Sequence, residues 1–266
     1  MLLGVSMPAA ISVVIVTYNS SYIIADCLTE LIKAIPRQTS EVIVVDNAST
    51  DRTLEMVEGF KGHLKKIITS AENAGFAGGV NQGISESQGG YVLLMNPDLM
   101  INSHCVKGMM DFLSGHEKVG AVGVKLNYSN GTRQPSCRRY PILRGVLANR
   151  IRLLRKIFGE SLLKHYLMED ANNQAPEEVE WIIGACMMFR RKALEEVGLF
   201  DEKFFLYFED ADWCYRARKR GWKTVYLPQF EAVHLYQRES RRGANKQLFW
   251  HIKSLARFYK KHGFRF

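Results

Sequence analysis

Carboxylates mark the places in this chain where chemistry is plausible. Asn96-Pro97-Asp98 puts one aspartate directly after an apolar run, and Phe208-Glu209-Asp210-Ala211-Asp212-Trp213 gathers three acids at the start of a helical stretch. One carboxylate with open positions suits Mg²⁺ or Mn²⁺, which take oxygen ligands and retain waters and substrate phosphates. The second cluster follows the apolar run Phe204-Phe-Leu-Tyr-Phe208, so its acids emerge from a core. Burial raises a carboxyl pKa and a helix N-terminus lowers it, and either outcome leaves room for a general base. Three further groups have chemical potential: Asp46-Asn47-Ala48-Ser49, the glycine-rich Asn73-Ala-Gly75-Phe-Ala-Gly78-Gly79-Val-Asn81, and His234 ahead of Arg238, Arg241 and Arg242. Each also has a plain structural use, as a helix cap, a close turn or a hydrogen-bonded histidine.

The elements that must position these groups follow from periodicity. Residues 11–17, 41–46, 66–69, 91–95 and 119–125 are apolar runs of strand length. Helices are expected over residues 23–35, 53–60 (capped by Ser49 or Asp51) and 77–87. Such alternation implies βαβ units and a parallel sheet covered on both faces. Ligands of such sheets bind beyond the carboxyl ends of the strands. Those ends are Thr17-Tyr18-Asn19, Asp46 to Ser49, and Asn96-Pro97-Asp98, all polar and two of them acidic.

Beyond residue 126 the pattern loosens. Asn130-Gly131 is a turn, residues 138–164 form a basic amphipathic segment, and residues 169–180 are an acidic loop. Strand character returns over 181–190, a helix over 210–220, a short strand over 224–227 that Pro228 ends, and a closing helix over 245–260. The expected whole is one α/β domain over residues 1–266. Its first half covers about 9–126, its second about 127–240, and the C-terminal helix closes it.

Composition narrows the function. The 266 residues carry a formal net charge of +9, which favours phosphate-rich partners. Five separated cysteines without a Cys-x-x-Cys pair argue against a disulfide framework and a structural zinc site, and fit a reducing cytoplasm. The first residues lack a basic signal-peptide region, and no apolar run has membrane-spanning length. The expected location is the cytoplasm, with peripheral contact at the inner face of the cell membrane through 138–164 as a further option. Neither Gly-x-Gly-x-x-Gly nor a P-loop is present, which counts against a dehydrogenase and a Walker-type phosphate grip.

In combination and in this order, the segments resemble glycosyltransferase family 2, with its GT-A fold. The matching pieces are Ser12-Val-Val-Ile-Val-Thr-Tyr-Asn19, Val44-Val-Asp-Asn-Ala-Ser-Thr-Asp51, the 73–81 glycine-rich turn and Leu94-Met-Asn-Pro-Asp98. Gly184-Ala-Cys-Met-Met-Phe-Arg-Arg191 and Gly198-Leu-Phe-Asp-Glu-Lys-Phe-Phe-Leu-Tyr-Phe-Glu-Asp-Ala-Asp212 complete the set. The Cys137-Arg-Arg-Tyr-Pro141 segment is similar to bacterial rhamnosyltransferases of polysaccharide assembly. The fold so implied is a Rossmann-like, mostly parallel sheet flanked by helices, with a basic helical insertion on the acceptor side.

The resemblance also implies roles. Thr17, Tyr18 and Asn19 would line the nucleotide pocket, Asp46 would recognise a pyrimidine, and Asn73, Gly75 and Asn81 would border nucleoside and sugar. Asp98 matches the last aspartate of the family's Asp-x-Asp metal motif, and Asn96 stands where the first would be. An amide cannot supply that charge, so Mg²⁺ or Mn²⁺ would lean more on the diphosphate. Asp210 would be the general base with Glu209 beside it, and His234 a ligand of metal or diphosphate. Trp181, Gly184, Ala185 and Asp212 are assigned to the acceptor side. The implied reaction is an inverting displacement from dTDP-rhamnose, or else a UDP-sugar, to a saccharide acceptor carried on a lipid. Nucleic acid is not an expected partner. A nucleotidyltransferase is the rival enzyme, but Thr17-Tyr-Asn-Ser-Ser21 lacks its basic phosphate loop. A non-catalytic basic adaptor would explain the charge and leave the polar strand ends unexplained.

Overall fold

The computed structural model describes residues 10–141, 145–146, 160–169, 174–235 and 240–263, with side chains of 240–245 left aside. Twelve strands occur among these residues: β1 Ile11–Thr17, β2 Ser40–Asp46, β3 Lys66–Thr69, β4 Tyr91–Met95, β5 Leu99–Met100, β6 Val119–Asn127, β7 Arg133–Gln134, β8 Cys137–Arg138, β9 Glu177–Glu178, β10 Trp181–Ile182, β11 Cys186–Arg190 and β12 Lys223–His234. The helices are α1 Ile24–Ala34, α2 Thr53–Glu58, α3 Gly75–Ser85, α4 Ser103–Gly115, α5 Glu160–Tyr166, α6 Arg191–Val197, α7 Glu209–Lys219 and α8 Ser240–His262. Most of the expected basic segment 138–164 lies outside the described residues; of it, α5 is helical.

The main sheet runs β3-β2-β1-β4-β11-β6-β12-β5. Its first four strands are parallel, with Thr17 level with Asp46 and Ile15 level with Met95. Side chains alternate across it. Val14, Val16, Ile43, Val45 and Leu94 face a core with α3, and Val13, Ile15, Val42, Val44 and Met95 face a second core with α1 and α4. Burial on both faces is why these strands read as continuous apolar runs. Helix α3 lies very close to β1: a methyl group on Gly83 would come within 2.4 Å of Val14 Cγ1.

The sheet is mostly parallel, as expected, with β11 inserted antiparallel between β4 and β6. Several local expectations are corrected. The expected strand over 181–190 is two pieces, with β10 paired to β8 in a separate ribbon and Ile183-Gly184-Ala185 turning between them. Pro228 does not end its strand. β12 continues to His234 through an irregularity in which Leu227 pairs with Val124 and Glu231 with Lys125. A bulge is where a strand tolerates a residue without an N–H. Neither expected residue caps α2: Arg52 stands at the cap without a side-chain bond, Asp51 Oδ1 accepts the Thr53 N–H at 3.0 Å one residue earlier, and Ser49 is engaged elsewhere.

These departures build the site. The antiparallel start of β11 sets Ala185 O 2.9 Å from the Asn96 N–H at the end of β4. The extension of β12 pairs His234 with Leu99 of β5 and lets Leu235 N–H donate to Asp98 O at 2.8 Å. Two distant segments are thereby brought to the two sides of Asn96-Pro97-Asp98.

Candidate active site

The loops after β1 and β2 are tied together by short polar side chains. Thr17 Oγ1 donates to Asp46 Oδ1 at 3.1 Å, and Asp46 Oδ2 accepts the Ser49 N–H at 3.1 Å. Ser49 Oγ accepts the Asn19 N–H, and Asn19 Oδ1 accepts the Thr50 N–H. Asn19 and Ala48 hold positive φ values of 52° and 62°, strained backbone of a kind that collects at ligand sites. Tyr18 stands half exposed on this rim, whereas Thr17 and Asp46 are buried. Asn47, part of the Asp46 to Ser49 segment but given no role of its own by the sequence, fixes the next loop: its Nδ2 donates to Asn73 Oδ1 and Gly75 O, and its Oδ1 accepts the Ala74 N–H. Gly75 has φ +78°, and a Cβ there would lie 2.4 Å from Phe205 O, so the turn requires glycine.

At the end of β4 a second cluster forms. His234 Nε2 lies 3.1 Å from Asp98 Oδ1 and 3.3 Å from Asn96 Nδ2, while its Nδ1 lies 2.8 Å from Gln134 Oε1. A histidine whose Nδ1–H is donated to Gln134 presents the Nε2 lone pair beside a carboxylate oxygen. In that tautomer the two atoms could ligate one cation, and holding the other ring nitrogen is the usual outer support of a metal-binding imidazole. The donor set of one carboxylate oxygen and one imidazole therefore fits Mg²⁺ or Mn²⁺ completed by waters and phosphate. Among the described residues no cluster of three or more His, Cys, Asp or Glu forms a self-sufficient metal cage.

The third cluster stands at the entrance to α7. Tyr207 and Phe208 hold φ values of 71° and 66° just before the helix, a costly conformation that sets the direction of Glu209 and Asp210. Asp210 Oδ2 accepts the Gly184 N–H at 2.8 Å, and its Oδ1 accepts the Ala211 N–H at 2.8 Å. Burial raises the Asp210 pKa above the usual carboxylate value. The Gly184 and Ala211 N–H groups and the Arg138 guanidinium hold it back, and Trp181 Nε1 faces the carboxyl outside full hydrogen-bond geometry. Glu209 is pushed much further up, first by burial and then by the Asp210 charge, and its Oε2 is buried without a hydrogen-bond partner. Both are pushed upward, Glu209 the further, so Asp210 is the first of the pair to ionise as pH rises.

One cavity of about 620 Å³ is shared by the third cluster and by Asn96, Gln134 and His234 of the second, with Asp98 beside His234 and outside the lining. Asn96, Gln134 and His234 line one side, Glu209 and Asp210 another, and Trp181, Gly184 and Ala185 lie between them. Sequence reasoning gave Gln134 and His251 no role. His251 comes from the buried face of α8 and sits edge-on to Phe208 at 4.8 Å; a histidine among core positions was its only signal. Arg138, known before only as part of a resembling segment, stacks 5.1 Å over Trp181 and lines the cavity, with its Nε buried and unpartnered. Its neighbour Arg139 opens into a separate cavity with Tyr140, His165, Glu180 and Arg218, which holds no expected site residue.

Two expected residues stand elsewhere. Asn81 bonds to Phe200 O at 2.9 Å, accepts the Phe200 N–H and meets Glu202, so it ties α3 to the loop before α7. Asp212 is fully buried against Arg216, Lys261 and His262, each within 2.8 Å, and pins α7 to α8. Helical geometry explains the second case, since residues two apart on a helix point to different faces.

Comparison with known proteins places this geometry. The family model described as "Glycosyl transferase family 2" matches residues 12–198. The N-acetylglucosaminyl-diphospho-decaprenol L-rhamnosyltransferase of Mycobacterium tuberculosis is 28% identical over 260 residues, covering 93% of this chain and 83% of the relative. Staphylococcus aureus TarS in complex with UDP superposes with a TM-score of 0.62 at 21% identity, over 87% of this chain and 62% of that one. The mannosyltransferase PcManGT from Pyrobaculum calidifontis, solved with GDP-Man and Mn²⁺, gives 0.63 at 20% identity, over 95% and 67%. The last two show a shared GT-A fold, and this chain spans under two thirds of TarS.

Proposed function

Since the chain belongs to glycosyl transferase family 2, we propose that this glycosyltransferase moves rhamnose from dTDP-rhamnose, with inversion, to a saccharide acceptor carried on a lipid. The observation that supports the mechanism is that Asp210, Asn96 and His234 line one cavity. The donor side is formed by Asp98 and His234 with the loops after β1 and β2. The acceptor side is formed by Trp181, the Gly184 turn and Arg138.

Asp210 takes the proton from the acceptor hydroxyl as that oxygen attacks the anomeric carbon. The Gly184 and Ala211 N–H groups stop the carboxylate from rotating and favour its ionised form, while burial disfavours a second charge on Glu209. Asp98 and the His234 imidazole would hold Mg²⁺ or Mn²⁺, which when bound neutralises charge developing on the nucleoside diphosphate. Arg138 contributes a fixed positive charge on the acceptor side of the same cavity. The rhamnosyl donor and the lipid-linked acceptor rest on the mycobacterial relative, whose name states both the sugar and a diphospho-decaprenol acceptor. A UDP-sugar is the second reading, supported by TarS having been solved with UDP.

A donor panel tests the proposal. Purified protein is given dTDP-rhamnose, UDP-sugars and GDP-mannose with Mn²⁺ and a lipid-diphosphate saccharide, and nucleoside diphosphate release is followed. Release of dTDP with a β-linked or α-linked product of opposite anomeric sense to the donor supports it. Turnover confined to UDP-sugars would move the assignment to the second reading, and pyrophosphate release would indicate a nucleotidyltransferase.

A further inference from the structure

Helix α8 is apolar on two faces. Its inner face, with Leu255, Phe258 and Tyr259, is packed on the domain and fixed by Ser254 Oγ donating to Leu206 O at 2.8 Å, Tyr259 OH to Pro141 O at 2.8 Å and Arg257 to Asp201 at 2.8 Å. Its outer side leaves Leu248, Phe249 and Ile252 uncovered at 38%, 58% and 54% of their surface, three of the six large exposed hydrophobics of the described residues. The helix has no Asp or Glu in its 23 residues. Lys246, Lys253 and Lys260 are exposed and recur every seventh residue, so they share one stripe beside Phe249. The Lys253 ammonium lies over the Trp250 ring at 4.7 Å from its centre and over the Phe249 ring at 5.9 Å.

We propose that this outer face of α8 docks on an anionic phospholipid bilayer. Uncovered aromatic and aliphatic side chains bordered by lysines of a single sign fit the boundary between acyl chains and headgroups. Charge complementarity selects that partner: an acid-free cationic stripe about 21 Å long meets a negatively charged plane, not an isolated acidic pocket. The helix is too polar to cross, and no described helix is long and apolar enough to do so. The same helix carries His251 into the cavity, and Trp250 stacks on Phe205 at 4.3 Å just ahead of Leu206 and Tyr207 of the cavity wall. Docking through α8 thus holds the acceptor side of the cavity at the lipid surface. This extends the reading of a lipid-carried acceptor, and it relocates membrane contact from the 138–164 segment to α8.

Vesicle flotation of the full chain, without donor or acceptor, tests it independently of sugar transfer. The protein is expected to float with phosphatidylglycerol-containing vesicles and to stay behind with pure phosphatidylcholine. Replacing Lys246, Lys253 and Lys260 by Gln is expected to weaken binding by about 100-fold, at roughly fivefold per lysine. Phe249→Asp with Ile252→Asp should abolish it, with unchanged circular dichroism and unchanged turnover of a water-soluble acceptor. A variant with Arg150, Arg152, Arg155 and Lys156 changed to Gln should still float. The proposal is overturned if the α8 variants float like the parent, or if only the 150–156 variant loses binding. It is equally overturned if sedimentation shows Phe249→Asp splitting a dimer of a protein that ignores vesicles.

Discussion

The Gly184 N–H holds Asp210 Oδ2 at 2.8 Å, so a backbone turn between two strands fixes the direction of a buried carboxylate. The bond crosses from the β10–β11 turn to the first residues of α7, and it stabilises the charged form of a group that burial would otherwise neutralise.

Asp210→Asn is therefore expected to remove general-base catalysis, lowering turnover by about 10²–10⁴-fold, while nucleotide binding persists. Asn keeps one of the two backbone bonds and sets its NH2 against the other N–H, a loss that opposes the relief of a buried charge, so Tm is measured beside turnover. Isothermal titration with nucleoside diphosphate beside a turnover assay separates the effects. Turnover like that of the parent would remove Asp210 from the mechanism.

The pH profile should carry the same signature. The base works only when ionised, so the rate falls as pH drops through the Asp210 pKa. Because burial raises that pKa, the acid limb should lie above the ordinary aspartate value of about 3.9. Arg138→Gln removes a charge that holds the pKa down and should move the limb further upward. A downward move, read from the rate at saturating substrate, would contradict the electrostatic assignment.

Gln134 orients the His234 ring through its 2.8 Å contact with Nδ1. Gln134→Leu should weaken activation by Mn²⁺ about 10–100-fold, the usual cost of losing outer support. The measurement is the Mn²⁺ concentration for half-maximal activity, and Gln134→Glu should restore most of the loss. Equal Mn²⁺ dependence in all three proteins would place the metal elsewhere.

Asp212 offers the contrasting case of an acid two residues away with a structural duty. Asp212→Ala leaves Arg216, Lys261 and His262 around an empty site, and removing one partner of such a buried network costs about 3 kcal/mol or more. Urea unfolding should register that loss, while turnover per folded molecule stays within a few-fold of the parent. A large fall in turnover at unchanged stability would return Asp212 to the chemistry.

The sequence by itself determined the sheet and its polar strand ends. Val13 to Val16, Val42 to Val45 and Val92 to Met95 could only be strands buried on both faces, so Thr17, Asp46 and Asn96 had to stand at one edge. Asn96-Pro97-Asp98 and Glu209-Asp210 were legible because carboxylates after apolar runs are costly unless used. What tertiary structure decided was partnership. Only the antiparallel insertion of β11 brought Gly184 to Asp210, and only the bulged extension of β12 past Pro228 carried His234 to Asp98. The membership of Gln134, Arg138 and His251, and the departure of Asn81 and Asp212 into packing, were settled by which face of a helix or strand met which neighbour. Local periodicity names a face but not its partner, because the partner is fixed by contacts a hundred residues away in the chain.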